Sequence, residues 1–219
     1  RVRDGAMSKI PPKLAGMLAA LVLGLGGTVV GLEVNDARIQ AEAKHQYVQA
    51  VQADPDTSQA VKVAMVLGSY YESGGRHIGT PYVDKLGKGR PLTVCNGITG
   101  RGVIAGKTYT PAECYELEKG RYLQAERDAA RLFAHWASYD AFVRGQFIDF
   151  IHNKGVGALS TSTMLRKANA GDLQGACREN PRWSRGTGGG VSTVLRGLLG
   201  RGESNDEICR LVRLEAPDV

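Results

Sequence analysis

Nineteen consecutive residues from Leu14 to Leu32 (LAGMLAALVLGLGGTVVGL) carry no charge, and this run limits the possible architectures more than any other feature of the chain. A helix that crosses a bilayer needs about 20 mostly apolar residues, so the run is long enough to span. It is also a weak span. Five of its residues are Gly and three are Ala, which bury little apolar area, and Gly costs about 1 kcal/mol relative to Ala inside a helix. A segment that enters a membrane but gains little by staying there suits reversible insertion.

Lys9 and Lys13 precede the run, and Glu33 and Asp36 follow it. The positive-inside bias then keeps the N-terminus in the cytoplasm and sends everything after Leu32 across the membrane. An uncleaved signal-anchor is favoured over a cleaved signal peptide. The apolar region of a signal peptide is normally about 7–15 residues and ends at a small-x-small site, and Gly-Thr-Val and Val-Val-Gly make poor cleavage sites. A buried core helix is the remaining alternative. Arg1 to Ala6 reads as a cloning remnant before a natural start at Met7. The chain then divides into a basic start with the anchor (7–32), a polar connector helix (33–54) and one compact domain (55–219).

The formal charge of +6 suits an acidic polymer such as nucleic acid, anionic lipid or bacterial envelope. No dense Lys/Arg stripe is interleaved with aromatics, which argues against nucleic acid. Cys95, Cys114, Cys177 and Cys209 lie beyond the apolar run, an even count that fits two disulfides in an oxidising compartment. Four cysteines permit three connectivities. No CxxC and no Cys/His cluster has metal-ligand spacing, so no metal and no cofactor is expected.

Along the chain, Asn35–Ala53 is rich in helix formers. Asp54-Pro55 restarts a helix to about Tyr71 that delivers Glu72 at its end. From Ser73 to Thr108 Gly is frequent, and Thr80–Val83 and Leu92–Cys95 lean to strand, which predicts a small antiparallel sheet. Thr110-Pro111-Ala112-Glu113 is a capping box that starts a helix to about Ala137. Further helices are expected over Asp140–Asn153, Thr161–Ala168, Asp172–Glu179, Val191–Leu199 and Asn205–Leu214. A small sheet set between a first helix and a helical remainder makes the chain α+β. Of the three connectivities, Cys95 with Cys114, bridging sheet and long helix, and Cys177 with Cys209, tying two C-terminal helices, is the one expected.

Glu72, Asp84 and Thr93 stand out chemically. Two carboxyls flanking a sugar bond are what glycoside hydrolysis needs, one to protonate the leaving oxygen and one to activate water or attack carbon. A hydroxyl beside the second helps hold the water. Partial burial against Tyr70 and Tyr71 would favour the protonated acid at Glu72.

The stretch Tyr71–Gly97 resembles the active-site segment of phage-type lysozymes, the endolysins. There a helix ends in Glu, a strand pair carries Asp, and Thr stands in Thr-x-x-x-Gly. The matching residues here are Glu72, Tyr82-Val83-Asp84 and Thr93-Val94-Cys95-Asn96-Gly97. Downstream, Phe147–Ala158 is similar to the family's buried helix ending in Asn-x-Gly-x-Gly. Ser162–Lys167, Asn169–Asp172, Trp183 and Cys209 continue the likeness. Eleven residues separate Glu72 from Asp84 and eight separate Asp84 from Thr93, each gap three longer than the family pattern. Loop insertions of this size are entropically cheap.

The resemblance implies a lysozyme-like fold and a muramidase that cuts the β-1,4 bond between N-acetylmuramic acid and N-acetylglucosamine of peptidoglycan for host lysis. Glu72 would be the acid, and Asp84 with Thr93 would hold or activate the water. Asn153 and Arg166 would support the cleft, and His77 would contact substrate. A lytic transglycosylase on the same substrate and a non-catalytic, membrane-tethered wall-binding protein are the alternatives. Residues 14–32 resemble the Gly/Ala-rich segments of signal-anchor-release endolysins. That likeness implies transport by the host export machinery, tethering at the host inner membrane facing the periplasm, and later release into the periplasm. A monomer is expected.

Overall fold

The computed structural model describes residues 8–23, 35–84, 89–100, 102–188 and 191–211. Nine helices occur among the described residues: α1 (Pro12–Leu23), α2 (Asn35–Ala53), α3 (Gln59–Ser73), α4 (Pro111–Leu132), α5 (Ala141–Lys154), α6 (Val156–Ser160), α7 (Thr163–Asn169), α8 (Leu173–Cys177) and α9 (Arg196–Leu211). Strands β1 (Tyr82–Val83), β2 (Leu92–Val94) and β3 (Ile98–Thr99) form an antiparallel sheet in that order, with Tyr82 opposite Thr93 and Thr93 opposite Thr99. A separate hairpin pairs β4 (Arg185–Gly188) with β5 (Val191–Val194).

The centre of the fold is α3. Every residue from Ala60 to Ser69 is buried, as expected for a helix apolar on all sides. Its one charge within that stretch, Lys62, reaches out so that Nζ donates to Gln52 O at 2.8 Å. Helices α1, α4 and α5 pack around it. The contact with α4 depends on Gly68, because a Cβ there would lie 1.8 Å from the hydroxyl of buried Tyr122. The N-cap of α3 is Ser58, whose Oγ accepts from Val61 N at 3.2 Å. The helix therefore starts later than the Asp54-Pro55 restart predicts. Asp54 instead binds Tyr115 and Lys119 of α4.

The capping box at Thr110 is formed with both of its bonds. Helix α4 ends at Leu132, short of the expected Ala137. Phe133 turns extended, and its ring joins Trp136, Tyr139 and Phe147 in an aromatic cluster. A larger departure lies near the C-terminus. Val191-Ser-Thr-Val is strand β5, not helix, because its β-branched residues pair across the hairpin with Arg185–Gly188. A single helix, α9, then runs from Arg196 to Leu211, where a separate last helix from Asn205 was expected; residues 212–214 of that expectation lie outside the described residues. Disulfides join Cys95 to Cys114 and Cys177 to Cys209, with Cα atoms 5.5 and 5.7 Å apart.

The first part of the apolar run is described only as far as Leu23; residues 24–32 lie outside the described residues. Leu14, Met17, Leu18 and Leu21 form one stripe of α1, buried against α3 and α2. Just before α1, Lys9 lies across α9. Its Nζ pairs with Glu203 at 2.7 Å, its backbone N donates to Glu207, and its carbonyl accepts from Ser204 Oγ at 3.1 Å. Among the described residues, no helix is long and apolar enough to cross a membrane. Helix α2 is more than a polar connector, since it buries Ala43, Tyr47, Val48 and Val51 in the same core.

Candidate active site

Glu72 sits in the last turn of α3, which Gly74 ends in the left-handed conformation (φ 65°). Helix α9 grips this end of α3 from behind. Tyr71 Oη lies 2.5 Å from Ser204 Oγ and 3.1 Å from Gly200 O. Arg201 Nη1 donates to Glu72 Oε1 at 2.6 Å. The same guanidinium holds Asp149 of α5 through Nε at 2.9 Å and Nη2 at 2.6 Å. Asn205 Nδ2 adds a bond to Asp149 at 2.9 Å.

Asp149 is fully buried and the Arg201 side chain is 6% exposed, while the Glu72 side chain is 35% exposed. One arginine therefore anchors an interior carboxylate and presents an outer one to solvent. Burial works against the charge on Arg201, but Asp149 and Glu72 outweigh it and hold the guanidinium firmly protonated. Tyr70 and Tyr71 meet edge to face at 5.0 Å. Glu72 is not enclosed by them, so the expected apolar environment is replaced by an ion pair.

Asp84 follows β1 and is half-buried. Its backbone N donates to Pro91 O at 2.9 Å. Thr93, in β2, is 2% exposed, and its Oγ1 donates to the same Pro91 carbonyl at 3.3 Å. The hairpin thus ties the Asp84 backbone and the Thr93 hydroxyl to one carbonyl. It joins the end of α3 through the crossing at residues 77–79, where Cys95 N donates to Ile78 O and Tyr109 N donates to Gly79 O, both at 2.8 Å. Gly79 is required there, since a Cβ would lie 2.3 Å from the Tyr109 carbonyl.

The supporting residues are dispersed. The His77 ring takes part in the crossing, with Nε2 2.7 Å from Tyr109 O. Asn153 lines a small cavity beside Arg201, Asn180 and Trp183. Arg166 is exposed on α7, and its Nη2 lies 3.1 Å from Thr163 Oγ1.

The Phage lysozyme family model matches residues 77–205. The chain belongs to the phage lysozyme family. Relatives of this chain include the SAR-endolysin of Bacteriophage PS119, 36% identical over 129 residues that make up 59% of this chain and 72% of the relative. The SAR-endolysin of Enterobacteria phage PA-2 is 37% identical over 134 residues, 59% of this chain and 73% of the relative. Among solved structures, the active form of P1 phage endolysin Lyz superposes with a TM-score of 0.61 at 20% identity, over 80% of this chain and 97% of that one. The muramidase domain of SpmX from Asticaccaulis excentricus gives 0.59 at 18% identity, over 67% and 94%. The fold is therefore lysozyme-like. Asp84, Thr93, Asn153, Arg166 and Arg201 lie inside the family match, whereas Glu72 and helices α1–α3 precede it.

Sequence reasoning missed Arg201, the partner of Glu72 from 129 residues away. The signal was a buried stripe at Arg201, Asn205, Ile208 and Cys209, whose helical spacing extends the last helix back past Asn205. It also missed Glu118, a carboxylate 1% exposed in α4. Burial pushes its pKa above the ordinary value, against the bonds it accepts from Tyr47 and Asn96.

Proposed function

We propose that this chain is an endolysin that hydrolyses the β-1,4 bond between N-acetylmuramic acid and N-acetylglucosamine in peptidoglycan. Glu72 protonates the leaving oxygen, and Asp84 with Thr93 holds or activates the water. The observation that carries this reading is the ordering of the site in a member of the phage lysozyme family. Glu72 projects from the end of α3 on the Arg201 anchor, and the hairpin that follows sets Asp84 and Thr93 on one carbonyl. Two carboxyls on separate supports, one on a helix end and one on a hairpin, are the pair that glycoside hydrolysis uses. The SAR-endolysin relatives support the same role.

A lytic transglycosylase is the second reading, and one observation favours it. The Thr93 hydroxyl is buried and already donates to Pro91 O, which leaves it poorly placed to hold a water. Muropeptide analysis separates the two. Hydrolysis gives reducing ends, whereas transglycosylation gives anhydro ends. With hydrolysis, Asp84→Asn lowers turnover severely and Thr93→Ala does so more mildly. Anhydro products, or full activity in Asp84→Asn, would transfer the assignment to transglycosylase.

Residues 14–32 serve as a releasable tether that holds the enzyme at the inner membrane of the host until it passes into the periplasm. Two features support this: the names of the relatives and the dual character of the segment. Its Gly-rich composition makes insertion marginal, and the Leu14/Met17/Leu18/Leu21 stripe of α1 has a place to dock on α3. Replacing Gly24, Gly26 and Gly27 with Leu should add enough apolar area to retain the protein in membranes and block lysis after depolarisation. Fractionation that finds this variant released as readily as the parent would refute the tether.

A further inference from the structure

Helix α2 precedes the residues that match the family, yet it touches the candidate site in two places. The first is the chain just after Glu72. Gln40 Oε1 accepts from His77 N at 2.7 Å, and Gln40 Nε2 donates to His77 O at 3.5 Å, so one side-chain amide takes both backbone groups of that residue. Between Glu72 and His77 the chain passes Gly74 (φ 65°) and Gly75 (φ 71°), two positions with unusual backbone freedom. The Lys44 side chain lies alongside Gly75.

The second place is the turn just after Thr93. Tyr47 Oη donates to Glu118 Oε2 at 2.5 Å. Glu118 Oε1 accepts from Asn96 N at 3.1 Å, and both carboxylate oxygens lie 3.0 Å from Asn96 Nδ2. Tyr47 and Asn96 are both buried, and Glu118 has no cation in this set of contacts. A buried carboxylate satisfied chiefly by hydrogen bonds is costly if one is lost, which fixes Tyr47 and Asn96 to it. Just before Asn96 the turn needs a left-handed Cys95 (φ 57°), a conformation that only surrounding structure sustains in a residue other than Gly.

We propose that Gln40 and Tyr47 are positioning residues, and that α2 is a brace setting the separation of Glu72 from the Asp84–Thr93 hairpin. This rests on the assignment of those three residues to the reaction. Gln40 fixes the chain five residues beyond Glu72, and Tyr47, through Glu118, fixes it three residues beyond Thr93. The two grips are seven residues apart on one helix, about two turns, so a rigid element spans both halves of the site.

The test uses the full chain and purified sacculi, with turnover measured well below each variant's unfolding midpoint. A displacement of about 1 Å in a catalytic constellation costs up to roughly a hundredfold. Gln40→Leu and Tyr47→Phe should therefore lower kcat about tenfold or more while KM stays within about twofold. Gln40→Glu keeps the acceptor for His77 N and should recover most of the activity. Gln46→Ala, on the exposed face of α2, should change nothing. In the two impaired variants the amides of His77 and Asn96 should exchange with solvent faster than in the parent. Unchanged kcat with only a lower melting temperature, or a Gln40→Glu variant no better than Gln40→Leu, would overturn the brace. Glu72→Gln, assayed in parallel, separates the two levels. If it is inactive while the α2 variants are fully active, the brace alone fails. If it is fully active, the site assignment fails and the brace falls with it.

Discussion

Glu72→Gln is expected to lower wall lysis by at least about a hundredfold with little change in melting temperature. General acid catalysis by a placed carboxyl contributes about 10²–10⁴-fold, and an amide has no proton to donate at the required step. The structural cost is small for a specific reason. Glutamine has the same shape, and its Oε1 still accepts from Arg201 Nη1, where Glu72 accepts at 2.6 Å. The Arg201–Asp149 pair, which carries the interior charge, is untouched. Turbidity loss of a cell-wall suspension, run beside thermal unfolding, measures both halves of the expectation. Near-parental lysis by folded Glu72→Gln would remove Glu72 from the mechanism. A large loss of stability would mean that Glu72 acts mainly as a structural partner of Arg201.

What could be read from the sequence was local. The capping box at Thr110–Glu113 announces the start of α4 because the residues that satisfy each other are three apart. Asp140 announces α5 in the same way, by accepting from Phe142 and Val143. The β1–β2 hairpin follows from β-leaning pieces separated by Gly, and its register sets Tyr82 beside Thr93. Near the C-terminus, by contrast, Val191–Val194 reads equally well as strand or helix in the sequence, and its pairing with Arg185–Gly188 decides for strand. The candidate site divides along the same line. Its reactive residue types and their order are visible in the chain, but the groups that orient them arrive from remote segments. Arg201 comes from α9, and Glu118 joins α2 to the sheet turn. Charges buried in pairs or networks leave no periodic signal of their own, because an Arg or Glu on a helix looks solvated until its partner is known.

Arg201→Leu is expected to cost about 3–5 kcal/mol, the usual penalty for removing one member of a buried pair. Asp149 is fully buried and, among the described residues, would keep the bond from Asn205 Nδ2 at 2.9 Å as its one side-chain partner. For a domain of this size that corresponds to a melting temperature lower by roughly ten degrees. The loss comes chiefly from the orphaned carboxylate, which a second substitution exposes. Asp149→Asn in the Arg201→Leu background removes the interior charge and should restore part of the stability, whereas Asp149→Asn alone leaves Arg201 without its main partner. The two substitutions should therefore be strongly non-additive. Arg201→Lys tests the geometry in turn. An ammonium keeps the charge but cannot fork between Asp149 and Glu72, so it should recover stability better than activity. If Arg201→Leu melts within a degree or two of the parent, the guanidinium is not the tie between α5, α9 and the end of α3. Glu72 must then be held in place by the packing of α3 and the bonds of Tyr71 to α9.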